Sequence, residues 1–138
     1  MTRDELRQAC LARLDERAEE HPCGHQGKLA ARYVLHGRTA GAVELMFEKG
    51  PRSAPNLWVA EWFVDHLVAE GSLEFRHAPS SAVFATRGAN GKRQYGRHSA
   101  LKVMNQLSDA DLVCFRINTL GDLDRILDHL SMRGTSSA

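Results

Sequence analysis

The chain has 138 residues, of which 43% are hydrophobic and 25% are charged, and its formal net charge is +1. These values are typical of one folded domain and exclude a largely disordered chain. The apolar runs are too short to span a bilayer, and the charged N-terminus lacks the apolar segment of a signal peptide, so we expect no membrane partner.

The cysteine content predicts a reducing location. Cys10, Cys23 and Cys114 are odd in number and irregular in spacing, which argues against a disulfide framework and favours the cytoplasm. We predict a single α+β domain over residues 1–131. The small polar residues 132–138 are predicted to form a flexible tail.

The first third of the chain predicts a helix followed by a β-hairpin. Thr2 and Glu5 have the spacing of a capping box, and an amphipathic helix is predicted over residues 3–20. Apolar and polar residues then alternate over 31–36 and 43–48, on either side of turn-forming residues, as in two paired strands.

The stretch 57–70 is ambiguous between helix and strand. As a helix it would place Trp58 and Trp62 on one side, with Gly71 just past the end, and this is the structure we predict. A buried strand through Val64 is the alternative, because periodicity discriminates poorly in short apolar runs. The tryptophans are expected in the core, or, if exposed, at a partner or homodimer surface.

The second half predicts two short strands, a short helix beginning at Ser99 as N-cap, a buried strand and a last amphipathic helix. Their expected positions are 73–77, 83–85, 99–107, 112–117 and 120–130. The resulting fold class is α+β, in the order α-β-β-α-β-β-α-β-α, with the helices packed on one mainly antiparallel sheet. A nuclease-like α/β core is an alternative layout.

The most distinctive stretch is basic and punctuated by glycine, RGANGKRQYGRHSALK at residues 87–102. It lies in a longer interval, between Glu74 and Asp109, that contains no acidic residue. Because this interval holds six Lys or Arg residues, the rest of the chain is net acidic by about five charges. A local positive field of this kind attracts polyanions.

The residue types in this basic stretch suit phosphate contacts. Arginine holds phosphate oxygens in its planar fork, glycine lets backbone N–H groups approach an anion, and tyrosine stacks on bases. The residues predicted to contact nucleic acid or phosphate are Arg87, Lys92, Arg93, Tyr95, Arg97, His98, Ser99 and Lys102. We therefore predict a small cytoplasmic nucleic-acid-binding protein, with DNA as the expected ligand and with no catalytic residue, cofactor or metal. A solvated loop that keeps the protein soluble is the alternative interpretation.

Two enzymatic or metal-binding alternatives rest on weaker patterns. Cys10, His21, Cys23 and His25 are possible zinc ligands by type, but their spacing fits no standard site.

A metal-dependent phosphodiesterase is the second alternative. It would use His98 as acid or base and Glu44, Glu48 or Glu61 to hold the metal. The spacing of these carboxylates departs from that of a nuclease core, and exposed strand and helix faces explain them more simply. A non-catalytic interaction module or homodimer is the third alternative.

Overall fold

A six-stranded antiparallel sheet forms the centre of the molecule in a computed structural model that describes residues 1–25, 27–37, 41–84 and 91–132. The helices are α1 (Arg3–Arg17), α2 (Asp65–Glu70) and α3 (Leu120–Met132). The strands are β1 (Glu19–Glu20), β2 (Ala30–Gly37), β3 (Gly41–Glu48), β4 (Asn56–Ala60), β5 (Phe75–Ala78) and β6 (Leu112–Arg116). Their order in the sheet is β1-β2-β3-β4-β6-β5. The predicted α+β class, with helices on one antiparallel sheet, is confirmed.

The first helix begins as predicted and ends earlier. The Thr2 hydroxyl accepts a hydrogen bond from the backbone N–H of Glu5, while the Glu5 carboxylate accepts one from Thr2, so the capping box is confirmed. The helix ends at Arg17 rather than at residue 20, because the next residues leave it to pair with β2 as the short strand β1. This pairing was not predicted.

The hairpin of β2 and β3 is confirmed, but both of its faces are buried. Tyr33 is paired with Leu45, and this face packs toward α1, where the Tyr33 hydroxyl donates to Asp15. On the opposite face, Arg32 and Glu44 are also buried, although alternation predicts that they are exposed. The reason is that residues 100–106, which precede β6, lie over this second face, where the carbonyl of Ala100 accepts from Arg32 and the backbone N–H of Gln106 donates to Glu44.

The helix predicted over 57–70 is wrong in its first half. Residues Asn56–Ala60 form β4, residues Glu61–Phe63 form a 3-10 turn, and only Asp65–Glu70 is α-helical. The strand alternative is right as far as Ala60. Because β4 lies inside a sheet that is covered on both sides, it is apolar on both faces and loses the alternation that marks a strand.

The chain between β5 and β6 contains less regular structure than predicted. Val83 and Phe84 lie in a turn rather than in a strand, and residue 85 lies outside the described residues. The predicted helix 99–107 is reduced to one 3-10 turn, Ser99–Leu101, whose N-cap is His98 rather than Ser99. Further turns replace the helix, and they bury the side chains expected to face inward, those of Leu101, Met104 and Leu107.

The last helix is confirmed and includes Met132, the first residue of the predicted tail. The remainder of that tail, 133–138, lies outside the described residues. None of the helices in the described ranges combines the length and the apolar character needed to cross a membrane.

Candidate ligand-binding cleft

A half-open cleft of about 480 Å³ lies on the sheet face that is turned away from α1. Three strands contribute Glu48, Trp58 and Arg76 to it, and the segment before the 3-10 turn Ser99–Leu101 contributes Arg97 and His98. The strand register explains this grouping, since Arg76 is level with Cys114 of β6, which is level with Trp58. We call this feature the Arg76 cleft.

The guanidinium of Arg76 covers the floor of the cleft. Its Cζ lies 4.9 Å from the centroid of the Trp58 ring, within the range of a cation–π interaction. Trp58 is therefore only 4% exposed, whereas Arg76 itself is exposed. In the described part of the chain no carboxylate forms an ion pair with Arg76, so its charge is directed to the cleft and to solvent. Arg76 belongs to the basic interval of the sequence, but it was not among the predicted site residues.

A buried carboxylate lies at the edge of the same indole ring. Glu48 is 9% exposed, and its two oxygens accept hydrogen bonds from Trp58 Nε1 and Asn56 Nδ2, both at 2.9 Å. An ionised carboxylate can accept about four hydrogen bonds, so each oxygen retains capacity for another donor. The interpretation of Glu44 and Glu48 as exposed strand residues is wrong, because residues 96–106, which precede β6, lie over that side of β3.

His98 presents a hydrogen-bond donor. Its Nδ1 accepts the backbone N–H of Ala100 at 3.1 Å, and this bond caps the 3-10 turn. Because Nδ1 acts as an acceptor, the neutral ring carries its proton on Nε2. The neutral side chain is thus a donor for ligand acceptors.

Arg97 is used mainly to hold the chain together. Its guanidinium donates to the carbonyl oxygens of Ala78 at 2.7 Å, Ala110 at 2.5 Å and Leu107 at 3.2 Å. Burial lowers the pKa of Arg97, while Asp109 and Asp111 among its neighbours act in the opposite direction. Because its N–H donors point at backbone carbonyls, Arg97 contributes a positive charge at the cleft wall. Its guanidinium is not free to hold a phosphate group with paired hydrogen bonds.

The side chain of Tyr95 is also used in an internal hydrogen bond. Its hydroxyl donates to the carbonyl of Ser108 at 2.6 Å, and burial raises its pKa. Its ring meets that of Phe84 edge to face at 6.2 Å, and Phe84 is 50% exposed. Phe84, which was predicted to lie in a strand, is therefore more accessible to solvent than Tyr95.

The other predicted contact residues are on the surface. The side chains of Lys92, Arg93, Ser99 and Lys102 are all exposed. Arg87 lies outside the described residues. Of the predicted residues, Arg97 and His98 thus lie at the cleft, and four others lie on the nearby surface. The side chains of Tyr95 and Arg97 form internal hydrogen bonds.

Folding also brings carboxylates to the acid-free interval. Asp111 accepts the backbone N–H of Ser80 at 2.7 Å, and this bond holds the pKa of Asp111 below its usual value. Glu61 lies 2.8 Å from His77 at the border of the cleft. The interval that lacks acidic residues in the sequence is therefore partly neutralised in the fold by carboxylates from outside it.

The residues considered as zinc ligands have other partners. His21 accepts from the backbone of Cys23 through Nδ1 and contacts Glu44 through Nε2, while His25 accepts from the backbone of Arg32 and contacts Glu20. Cys10 is buried in α1. Over residues 1–25, 27–37, 41–84 and 91–132, no three His, Cys, Asp or Glu side chains come together as a possible metal site.

The two tryptophans do not form the surface considered from the sequence. Trp58 belongs to β4 and lies under Arg76. Trp62 lies in the 3-10 turn Glu61–Phe63, its ring centroid is 5.2 Å from that of Phe63, and it is 46% exposed. They were expected one helical turn apart, and that spacing is lost because β4 is a strand. Because Trp58 is buried, only Trp62 is left at the surface, and the two residues do not form one exposed patch.

The fold is that of an α+β protein, and one face of its antiparallel sheet carries a cleft lined by charges of both signs, which is a candidate ligand site. The chain matches no protein-family model, and neither a curated protein nor a solved structure shows significant similarity to it.

Proposed function

We propose that this protein binds nucleic acid through the exposed cations of residues 91–102, with the Arg76 cleft as the adjoining pocket. One observation carries the proposal. Lys92, Arg93 and Lys102 are exposed on a segment that also delivers His98 to a cleft containing Arg76. Cations of this kind bind phosphates and release counterions, which makes binding depend steeply on salt.

Two further features support this function. The exposed ring of Phe84, beside Tyr95, is a surface on which an unpaired base stacks. All three cysteines are free, and Cys23 is exposed, as suits a protein of the reducing cytoplasm, where we place it.

A catalytic alternative uses the same cleft, because Glu48 and His98 both line it. Phosphodiester cleavage would need one of them as base and the other as acid. Binding without catalysis is favoured, since Nδ1 of His98 accepts a backbone N–H and protonation of the ring would break that bond. Incubation of labelled RNA and DNA with and without Mg²⁺ tests the alternative, and cleavage that is lost in His98→Ala would establish it.

The principal test is fluorescence anisotropy with labelled single-stranded and duplex DNA and RNA over a salt series. We expect affinity to fall steeply with salt. The double variant Arg93→Ala/Lys102→Ala should reduce the slope of log K against log salt by about two, because each residue neutralises about one phosphate.

The matched control is Arg3→Ala/Arg52→Ala, which removes the same charge on the side of α1, where Arg7 donates to the carbonyl of Ser53. This control should leave the slope unchanged. Equal losses in the two double variants would point to non-specific attraction and contradict the proposed surface. No binding at low salt to any of the four ligands would end the proposal.

A further inference from the structure

The Arg76 cleft contains charges of both signs, which distinguishes it from a simple phosphate site. A phosphate pocket needs donors and cations, whereas here a buried carboxylate, Glu48, lies at one edge of the Trp58 ring. That carboxylate would repel a phosphate in the cleft. The volume of about 480 Å³ is also far larger than a phosphate group requires.

Around the indole of Trp58 the cleft contains both a hydrogen-bond acceptor and hydrogen-bond donors. Glu48 accepts from Trp58 Nε1 at 2.9 Å and so lies at the edge of the ring, whereas Arg76 lies over its face at 4.9 Å. His98 adds a second donor, since its Nδ1 is occupied by a backbone N–H and its Nε2 carries the proton. A ligand that complements this cleft therefore carries N–H donors for Glu48 and, close to them, an acceptor for Arg76 and His98.

We propose that the Arg76 cleft binds one unpaired guanine base, an inference that rests on the nucleic-acid binding proposed above. Guanine carries adjacent N1–H and 2-amino donors, which match the two oxygens of Glu48. Its O6 is an acceptor for the N–H donors of Arg76 and His98. Adenine, cytosine and uracil each lack the pair of adjacent donors. The exposed cations of residues 91–102 then hold the phosphates outside the cleft.

Base binding in the cleft favours single strands. The edge of guanine that Glu48 would read is the one used in base pairing, so a paired guanine cannot present it. The protein would therefore take the base from an unpaired strand or a loop, as sequence-specific single-strand binding proteins do.

Trp58 provides a direct probe of the cleft. Because the chain has two tryptophans, Trp62→Phe leaves Trp58 as the only indole. The probes are GMP, IMP, which lacks the 2-amino group, and AMP. We expect GMP to change Trp58 fluorescence saturably, IMP to bind about tenfold more weakly, and AMP to bind more weakly still, since an unpaired buried acceptor costs about that much in affinity.

Two variants in this background test the named residues. Glu48→Gln should weaken GMP binding about tenfold or more and reduce the preference over AMP, and Arg76→Met should weaken GMP binding while its alkyl chain still covers Trp58. Arg52→Met is the control and should bind GMP as the parent does. Circular dichroism and thermal unfolding show whether each variant is folded, and Arg76→Met, at an exposed position, keeps the test valid if Glu48→Gln unfolds.

The outcomes separate the two proposals. Equal affinity for GMP and AMP, no saturable signal with GMP, or unchanged GMP binding in a folded Arg76→Met variant would overturn the guanine site. If nucleic acid binds in a salt-dependent manner while GMP does not, only the guanine site fails. If GMP binds and no polynucleotide does, the cleft is a site for free guanine nucleotides and the proposed nucleic-acid function fails.

Discussion

Nε2 of His21 lies 2.6 Å from a carboxylate oxygen of Glu44, and both side chains are buried. His21 accepts the backbone N–H of Cys23 through Nδ1, so its neutral ring donates to Glu44 through Nε2. The second oxygen of Glu44 accepts the backbone N–H of Gln106 at 2.7 Å. One carboxylate thus joins the residues after β1, strand β3 and the chain that covers the second sheet face.

Glu44→Ala should therefore destabilise the protein by about 2–5 kcal/mol, since it leaves the buried His21 ring and the half-buried backbone N–H of Gln106 without an acceptor. Urea unfolding followed by circular dichroism measures this change. The control is Glu16→Ala, whose carboxylate is exposed and weakly paired with Arg13, and it should cost no more than about 0.5 kcal/mol. A similarly small effect in both variants would contradict a structural role for Glu44.

Arg97 and Arg93 should respond differently to substitution. Arg97→Ala removes hydrogen bonds to three backbone carbonyls and should destabilise the protein by about 2 kcal/mol, whereas Arg93→Ala, at an exposed position, should change stability by less than about 0.5 kcal/mol. Thermal and urea unfolding of the two variants provide the comparison. If Arg97→Ala is as stable as Arg93→Ala, the anchoring role is wrong and Arg97 is available to a ligand.

Buried thiols should make the protein sensitive to alkali. Burial raises the pKa of Cys10 from 9.0 to about 11 and that of Cys114 to about 12. A folded pKa above the unfolded one gives stability that is complete below pH 9 and is lost as the pH rises toward the folded value. Between pH 8.5 and 10.5 the loss should be roughly 1–2 kcal/mol for each thiol.

Urea unfolding at several pH values tests this dependence. Between pH 8.5 and 10.5 the double variant Cys10→Ala/Cys114→Ala should lose less stability than the wild type, whatever its stability at pH 8. The control Cys23→Ala should lose as much stability as the wild type. Above pH 10 a further loss is expected from Tyr33, whose pKa is raised by burial and by its hydrogen bond to Asp15. Parallel pH profiles for all three proteins would refute the contribution of the buried thiols.

Thiol reagents should modify a single cysteine of the folded protein. Cys23 is exposed, whereas Cys10 and Cys114 are buried, and the raised pKa of each buried thiol disfavours the reactive thiolate. Titration with a chromogenic disulfide reagent should give about one fast-reacting thiol in buffer and three in denaturant. Cys23→Ala should abolish the fast reaction, and its persistence would show that a buried cysteine is accessible.

Local patterns in the sequence were sufficient for much of the fold. The capping box at Thr2 and Glu5 depends on residues three apart, and the alternation over β2 and β3 depends on the side-chain period of a strand. Both features were confirmed because local geometry determines them. The basic, acid-free stretch was likewise evident, and the structure places most of its described cations at the surface, although it leaves the function as a proposal.

The sequence alone therefore determined the α+β class, the first and last helices and the hairpin, whose signals lie within a few residues. Only the tertiary structure decided that β4 is a strand, that Glu44 and Glu48 are buried, and that Arg97 binds carbonyls rather than facing solvent freely. The first depends on the pairing of β4 with β3 and β6, and the others depend on residues 96–110 lying over the second sheet face. Packing between segments distant in sequence brings Arg76, Trp58 and Glu48 together, and no local pattern encodes that contact.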